Sequence, residues 1–226
     1  MDRRSLLLGL LTPALAPLAQ GQMLWQEGTH FDRITPPVPT STPGKVEVTE
    51  VFSYGCPYCY SALPLADRIK ARLPAYAEMN YVHASFIPAE GWPMFQRAYV
   101  TAKALGLAEA HHKAMFEAIW ETGELPLIDP QTRRPVQPLP TIADAAKFYA
   151  KRSKTSVEDF LARSRQADID EAVRQQDALV RAYGVSGTPS FVVNGKYRLG
   201  KGIRTSDEMV NVIVYLVGLE KSTLRS

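Results

Sequence analysis

The nine residues FSYGCPYCY (52–60) hold both cysteines of the chain, Cys56 and Cys59, with Pro57 and Tyr58 between them. Upstream, KVEVTEVFSY (45–54) is rich in Val, Phe and Tyr and reads as a buried strand that ends at Gly55. Downstream, PYCYSALPLADRIKARL (57–73) places Leu65, Ile69 and Leu73 on one helical side, with Asp67, Arg68, Lys70 and Arg72 elsewhere. Pro57 suits a first helical turn, whereas Pro64 should kink the helix. The cysteine pair therefore stands where a strand hands over to a helix.

That position has chemical consequences. A sulfur at a helix N-terminus meets unpaired backbone N–H groups and the positive end of the helix dipole, and both favour thiolate. Cys56 should therefore react first, while Cys59, one turn into the helix, should be more buried and resolve the intermediate. Two other readings exist. A structural disulfide here would close a four-residue ring and remove little chain entropy. A metal site would need further ligands, and His30, His83, His111 and His112 form no recognisable spacing with the cysteines, so no metal is expected. The His111-His112 pair reads as a solvated helix face.

The N-terminus bears on the choice. Residues 1–21 carry Arg3 and Arg4, an apolar run from Leu6 to Leu18 and small residues around Ala19 and Gly21, the pattern of a cleaved signal peptide. Outside the cytoplasm a thiol pair can oxidise and persist as a disulfide. Of 226 residues, 46% are hydrophobic and 22% charged, enough for one substantial core or a core plus a smaller helical domain. The net charge of +3 is small and spread along the chain, which argues against nucleic acid as a partner.

Residues 35–44, TPPVPTSTPG, read as an extended lead-in, and MNYVHASF (79–86) as a second strand. From about 92 to 183 the pattern is helical, with Ala104, Leu105, Met115, Phe116, Ile119 and Trp120 as core candidates. A proline-rich loop, PLIDPQTRRPVQPLPT (126–141), interrupts this block at a length that packing does not require. Thr155 and Glu158 suggest a capping box for a further helix. In GVSGTPSFVVNG (184–195), Thr188-Pro189 precedes a strand, where a cis bond would suit a tight start and leave backbone groups beside the cysteines for a peptide to pair with. Asn194-Gly195 signals a hairpin, and a last helix follows from about Ser206 to Val217.

With GCPYC at the first strand-helix junction and SGTPSFVVNGKY before the closing hairpin, the chain resembles the periplasmic DsbA family of the thioredoxin superfamily, over about residues 45–218. The runs AYVTAKALG and MFEAIWETG of the helical block belong to the likeness. The resemblance implies an α/β thioredoxin fold, formed by 45–90 and 184–218, with an all-helical domain inserted over 91–183. It implies that Cys56 is the exposed nucleophile, Cys59 its buried partner, and Pro57-Tyr58 the dipeptide that tunes the redox potential. Pro189 matches the family's cis-proline, Thr188 a residue that shapes substrate contacts, and Glu50 an acid that helps move the proton of Cys59. The implied activity is protein disulfide oxidation in the periplasm on reduced exported polypeptides, by a monomer. No cofactor is implied beyond the Cys56–Cys59 disulfide, and a membrane quinone reductase resembling DsbB would restore it. The chain departs from the pattern at Tyr58, where many relatives carry histidine, and in the second strand, where Tyr81 or a neighbour stands in place of a lysine. The rivals are a reductase or isomerase of the same fold and a peptide-binding chaperone with an idle disulfide.

Overall fold

The computed structural model describes residues 25–225; the segment read as a signal peptide lies outside the described residues. Among the described residues five strands form one mixed sheet: β1 (Phe31–Arg33), β2 (Val46–Phe52), β3 (Ala77–His83), β4 (Ser190–Val193) and β5 (Tyr197–Leu199), in the spatial order β1-β5-β4-β2-β3. β2 runs parallel to β3 and antiparallel to β4. Every residue of β2 is buried, as its hydrophobic run predicted.

Alternation along β2 sends Val46, Val48 and Glu50 to one face and Glu47, Thr49 and Val51 to the other. On the first face, Val46 and Val48 pack with Phe191 and Val193 against Ile69 of α2 (Leu63–Arg72) and Ile213, Leu216 and Val217 of α8 (Ser206–Glu220). On the second, Val51, Val82 and Val192 meet Val180 of α7 (Ala167–Ala182) and Tyr183 just beyond it. Between β3 and β4 the chain adds α3 (Trp92–Ala104), α4 (Ala108–Trp120), α5 (Ile142–Ala150), α6 (Val157–Ser164) and α7. Their core, with Phe95, Met115, Phe116, Phe148 and Phe160 fully buried, continues into Phe52 and Tyr54 at the end of β2. The cysteine segment thus lies on the seam between sheet and helices.

Several local expectations change. The expected kink at Pro64 is a complete break: α1 (Pro57–Ser61) ends at Ala62, which also caps α2, so that proline falls in a first turn where no N–H is needed. Residues 35–44 form no helix or strand, as read, but just before them Phe31–Arg33 adds an edge strand to β5 that the pattern did not show. The cap of α6 is Ser156, whose Oγ accepts the Asp159 N–H at 3.0 Å, not Thr155. The reciprocal capping box belongs to Thr141 and Asp144 at the start of α5. Ala104 is exposed at the end of α3, while Met115, Phe116 and Ile119 are core. Among the described residues no helix is long and apolar enough to cross a membrane.

Candidate active site

Cys56 is the N-cap of α1, its backbone extended and its Sγ accepting the Cys59 N–H at 3.4 Å. Both cysteines are free thiols. Because α1 has only five residues, a long helix dipole contributes little; the local donors do the work. The Cys56 thiol lies well below the ordinary range, first through the hydrogen bond from the Cys59 thiol, then with help from the Thr188 side chain and the backbone N–H groups of Cys59 and Tyr58. Burial opposes this. The Thr188 carbonyl lies 3.4 Å from Cys56 Sγ and accepts from the protonated thiol. Cys59 is pushed far up, by burial and then by the Cys56 thiolate. One sulfur is therefore held as a nucleophile and leaving group, the other as its proton-bearing partner.

Cys56 is not the exposed residue the resemblance implied. Its relative exposure is 3%, against 74% for Tyr58, and it lines a groove of about 840 Å³. Gly55, Trp92, Trp120 and Thr188 contribute to the same groove. Gly55 is there for space, since a Cβ would come 2.4 Å from Trp92 Nε1. The Thr188–Pro189 bond is cis, and it brings Thr188 beside Cys56 immediately ahead of β4.

Glu50 lies opposite Tyr81 of β3 and Phe191 of β4. Tyr81 is thus the β3 residue paired with Glu50, and no lysine stands there. Burial and then the charge of Cys56 raise the Glu50 carboxyl to about 8. The acid also lies close enough to Cys59 to raise that thiol further.

The residues that hold the loop were not legible in the sequence. His83, fully buried, receives the Tyr54 N–H on Nε2 at 3.1 Å and so must donate from Nδ1 to the Ala84 carbonyl at 2.8 Å. Burial lowers its pKa to about 3, which keeps Nε2 an acceptor. Trp120 Nε1–H donates to the Tyr54 carbonyl at 2.8 Å. His112 corrects the reading of a solvated helix face. Its ring packs against Phe52, Tyr81 and Phe116, its Nδ1 stands 3.2 Å from the Tyr54 hydroxyl, and burial lowers its pKa to about 4. His111 faces the carbonyls of Leu107 and Arg152 at 2.8 and 3.0 Å. A pattern of helical spacing sees only one element, whereas α4 is packed on more than one side.

A family model described as the DSBA-like thioredoxin domain matches residues 93–213. The chain belongs to this family.

The match covers the helical block and Thr188-Pro189 of this DsbA-like chain but begins after the cysteines, which whole-chain relatives bring in. The thiol:disulfide interchange protein DsbA of Pseudomonas aeruginosa is 30% identical over 88% of this chain and 87% of its own length. The protein of the same name from Bordetella parapertussis is 31% identical over 82% and 79%. The crystal structure of the oxidoreductase DsbA from Xylella fastidiosa superposes with a TM-score of 0.76 at 29% identity, over 88% of this chain and 99% of that one. The DsbA-like chain is accordingly a thiol:disulfide oxidoreductase, working through a redox-active cysteine pair on protein substrates.

Proposed function

We propose that the protein oxidises reduced exported polypeptides in the periplasm, with Cys56, Cys59 and Glu50 as its catalytic residues. Pro57, Tyr58, Thr188 and Pro189 tune the potential and hold the substrate. The observation that carries this reading is the pair of sulfurs with opposed proton affinities, Cys56 low and Cys59 high, with the Thr188 backbone alongside.

In the oxidised enzyme a substrate thiolate attacks Cys56 Sγ. A substrate–Cys56 bond forms, the Cys56–Cys59 bond breaks, and Cys59 leaves with the electron pair and takes up a proton. The buried Glu50 carboxyl, protonated near neutral pH, stands ready to supply it. A second substrate thiolate then attacks the substrate sulfur of the mixed disulfide and expels Cys56 as its stabilised thiolate. Two electrons have passed from substrate to enzyme. The more the Cys56 thiolate is stabilised, the further this equilibrium favours oxidised substrate, a link the family itself illustrates. Reoxidation falls to a membrane quinone reductase resembling DsbB. The working form is a monomer with a thioredoxin-like part (45–90 and 184–218) and an inserted helical part (91–183), exported by the signal at 1–21.

Titration of the purified protein in glutathione buffers, followed by thiol alkylation, tests the direction. A potential well above the about −270 mV typical of thioredoxin supports an oxidase. A potential near that value makes the protein a reductase and rejects the proposal. Cys56→Ser should abolish exchange; peptide binding and biological effect that both survive it would instead indicate a chaperone.

A further inference from the structure

The segment 126–141 is longer than a connection between α4 and α5 requires, and the exchange chemistry assigns it nothing. In the fold it is an ordered hairpin. Leu125 and Leu127 anchor its base in the core, and Ile128 bridges Pro135. The Val136 N–H donates to the Leu127 carbonyl at 2.9 Å and the Asp129 N–H to the Arg134 carbonyl at 2.8 Å. At the tip, one carboxylate oxygen of Asp129 accepts the N–H groups of Gln131 and Thr132 at 2.9 and 2.7 Å. The tip presents Ile128, Pro130 and Arg133 to the groove that holds Cys56.

Arg133 is an odd residue for its place. Its φ is 58°, in the left-handed region where glycine, asparagine or aspartate fits with little penalty, while a longer side chain is disfavoured. Turn chemistry alone would not select it. Its guanidinium is exposed and has no ion pair or hydrogen bond among the described residues. Among those residues Arg133 is also the one cation in the groove lining. Glu90, the one carboxylate there, accepts the Trp92 indole N–H at 3.2 Å. The remaining walls are neutral and largely apolar, which lets the Arg133 charge act further than it would on an open surface.

We propose that Arg133 is a specificity-determining residue that favours reduced polypeptides carrying an aspartate or glutamate within a few residues of the cysteine presented to Cys56. The inference rests on the oxidase reading, because the groove must receive substrate. A guanidinium can grip a carboxylate with two parallel hydrogen bonds, and it does so before any sulfur moves. The effect therefore falls on the second-order rate of mixed-disulfide formation and weakens with salt.

The test uses the oxidised full chain and three reduced two-cysteine peptides that differ only in Asp, Asn or Lys beside the first cysteine, followed by rapid-mixing tryptophan fluorescence. The wild-type protein should oxidise the Asp peptide roughly three- to tenfold faster than the Lys peptide at low ionic strength, the ratio closing at high salt. Arg133→Asn and Arg133→Asp both suit the left-handed backbone. The first should bring the ratio near one and the second should invert it, each variant's rate on the Asn peptide serving as its own reference. A wild-type ratio near one, or a preference that survives Arg133→Asn, overturns the proposal. Failure of the wild-type protein to oxidise even the Asn peptide would overturn the oxidase reading instead, which keeps the two failures apart.

Discussion

Glu47 and Glu50 are both buried on β2, on opposite faces, and their neighbours differ in kind. Burial pushes the Glu47 carboxyl up, but donors from Ser41, Thr42 and Thr49 outweigh it, and the pKa ends below the ordinary value. Among the described residues no such donor offsets the burial of Glu50, whose pKa stands at about 8. Glu47 is thus a structural anion and Glu50 a held proton. Its folded pKa lies above the ordinary carboxyl value of about 4.3, so folding takes up a proton between those two pH values and stability falls as pH rises through that window. Glu50→Gln should therefore unfold at higher urea than wild type at pH 9. The gain should reach a few kcal/mol, because each pH step of one between the two pKa values is worth roughly 1.4 kcal/mol, and it should vanish towards pH 4. The same variant should slow mixed-disulfide formation by about tenfold or more, since Cys59 loses its proton donor. Equal stability at pH 9 would mean that burial does not raise the folded pKa of Glu50. At this scale Cys56, Cys59, Thr188 and Pro189 were legible because each pair is adjacent or nearly so. His83, His112, Trp120 and Arg133 were not, because they come to the site from segments whose local pattern says nothing of their destination.

The elements were legible where they carry their own signal. The β2 run, the Asn194-Gly195 turn and the α8 stripe all appear where pattern and propensity place them. Edge strand β1 did not, since a three-residue strand has too short a period to read and exists through pairing with β5. The β4–β5 turn takes positive φ at both central residues, 51° at Asn194 and 63° at Gly195. It is also covered, because a Cβ on Gly195 would lie 1.9 Å from the Val38 carbonyl oxygen. Val38 in turn donates its N–H to the Gly195 carbonyl at 2.9 Å. Gly195→Ala should lower stability by about 2 kcal/mol in urea unfolding, more than an exposed hairpin glycine would, because displaced backbone adds to the strained dihedral. A loss of only a few tenths would show that residues 34–38 give way freely.

For the molecule as a whole, the ionisation of Cys56 links redox state to stability. Its folded pKa lies below the ordinary thiol value of about 8.5, so the reduced protein gains a contribution that is complete above that value and is lost as pH falls through the folded pKa. The disulfide closes so small a ring that it returns little in chain entropy. The reduced form should therefore melt above the oxidised form at pH 8 and by a smaller margin at pH 5, in thermal unfolding with and without reductant. A higher melting point for the oxidised form at both pH values would remove the basis for an oxidising potential. The position of the helical block between β3 and β4 was legible from its helical pattern, whereas the sheet order was not, since pairing joins strands far apart in the chain. Which helix faces touch the sheet did not, since burial is a property of the assembled molecule.

Tyr54 is fastened to both halves of that assembly: its N–H to His83 at the end of β3, its carbonyl to Trp120 and its hydroxyl to His112 on α4. A hinge between sheet and helices cannot open without tearing one of these fastenings. The cysteine loop, two residues away, must register every such breath. Deuterium uptake at the Trp120 indole N–H, which is bonded across the seam to the Tyr54 carbonyl, would thus serve as a clock for that opening, ticking when sheet and helices part.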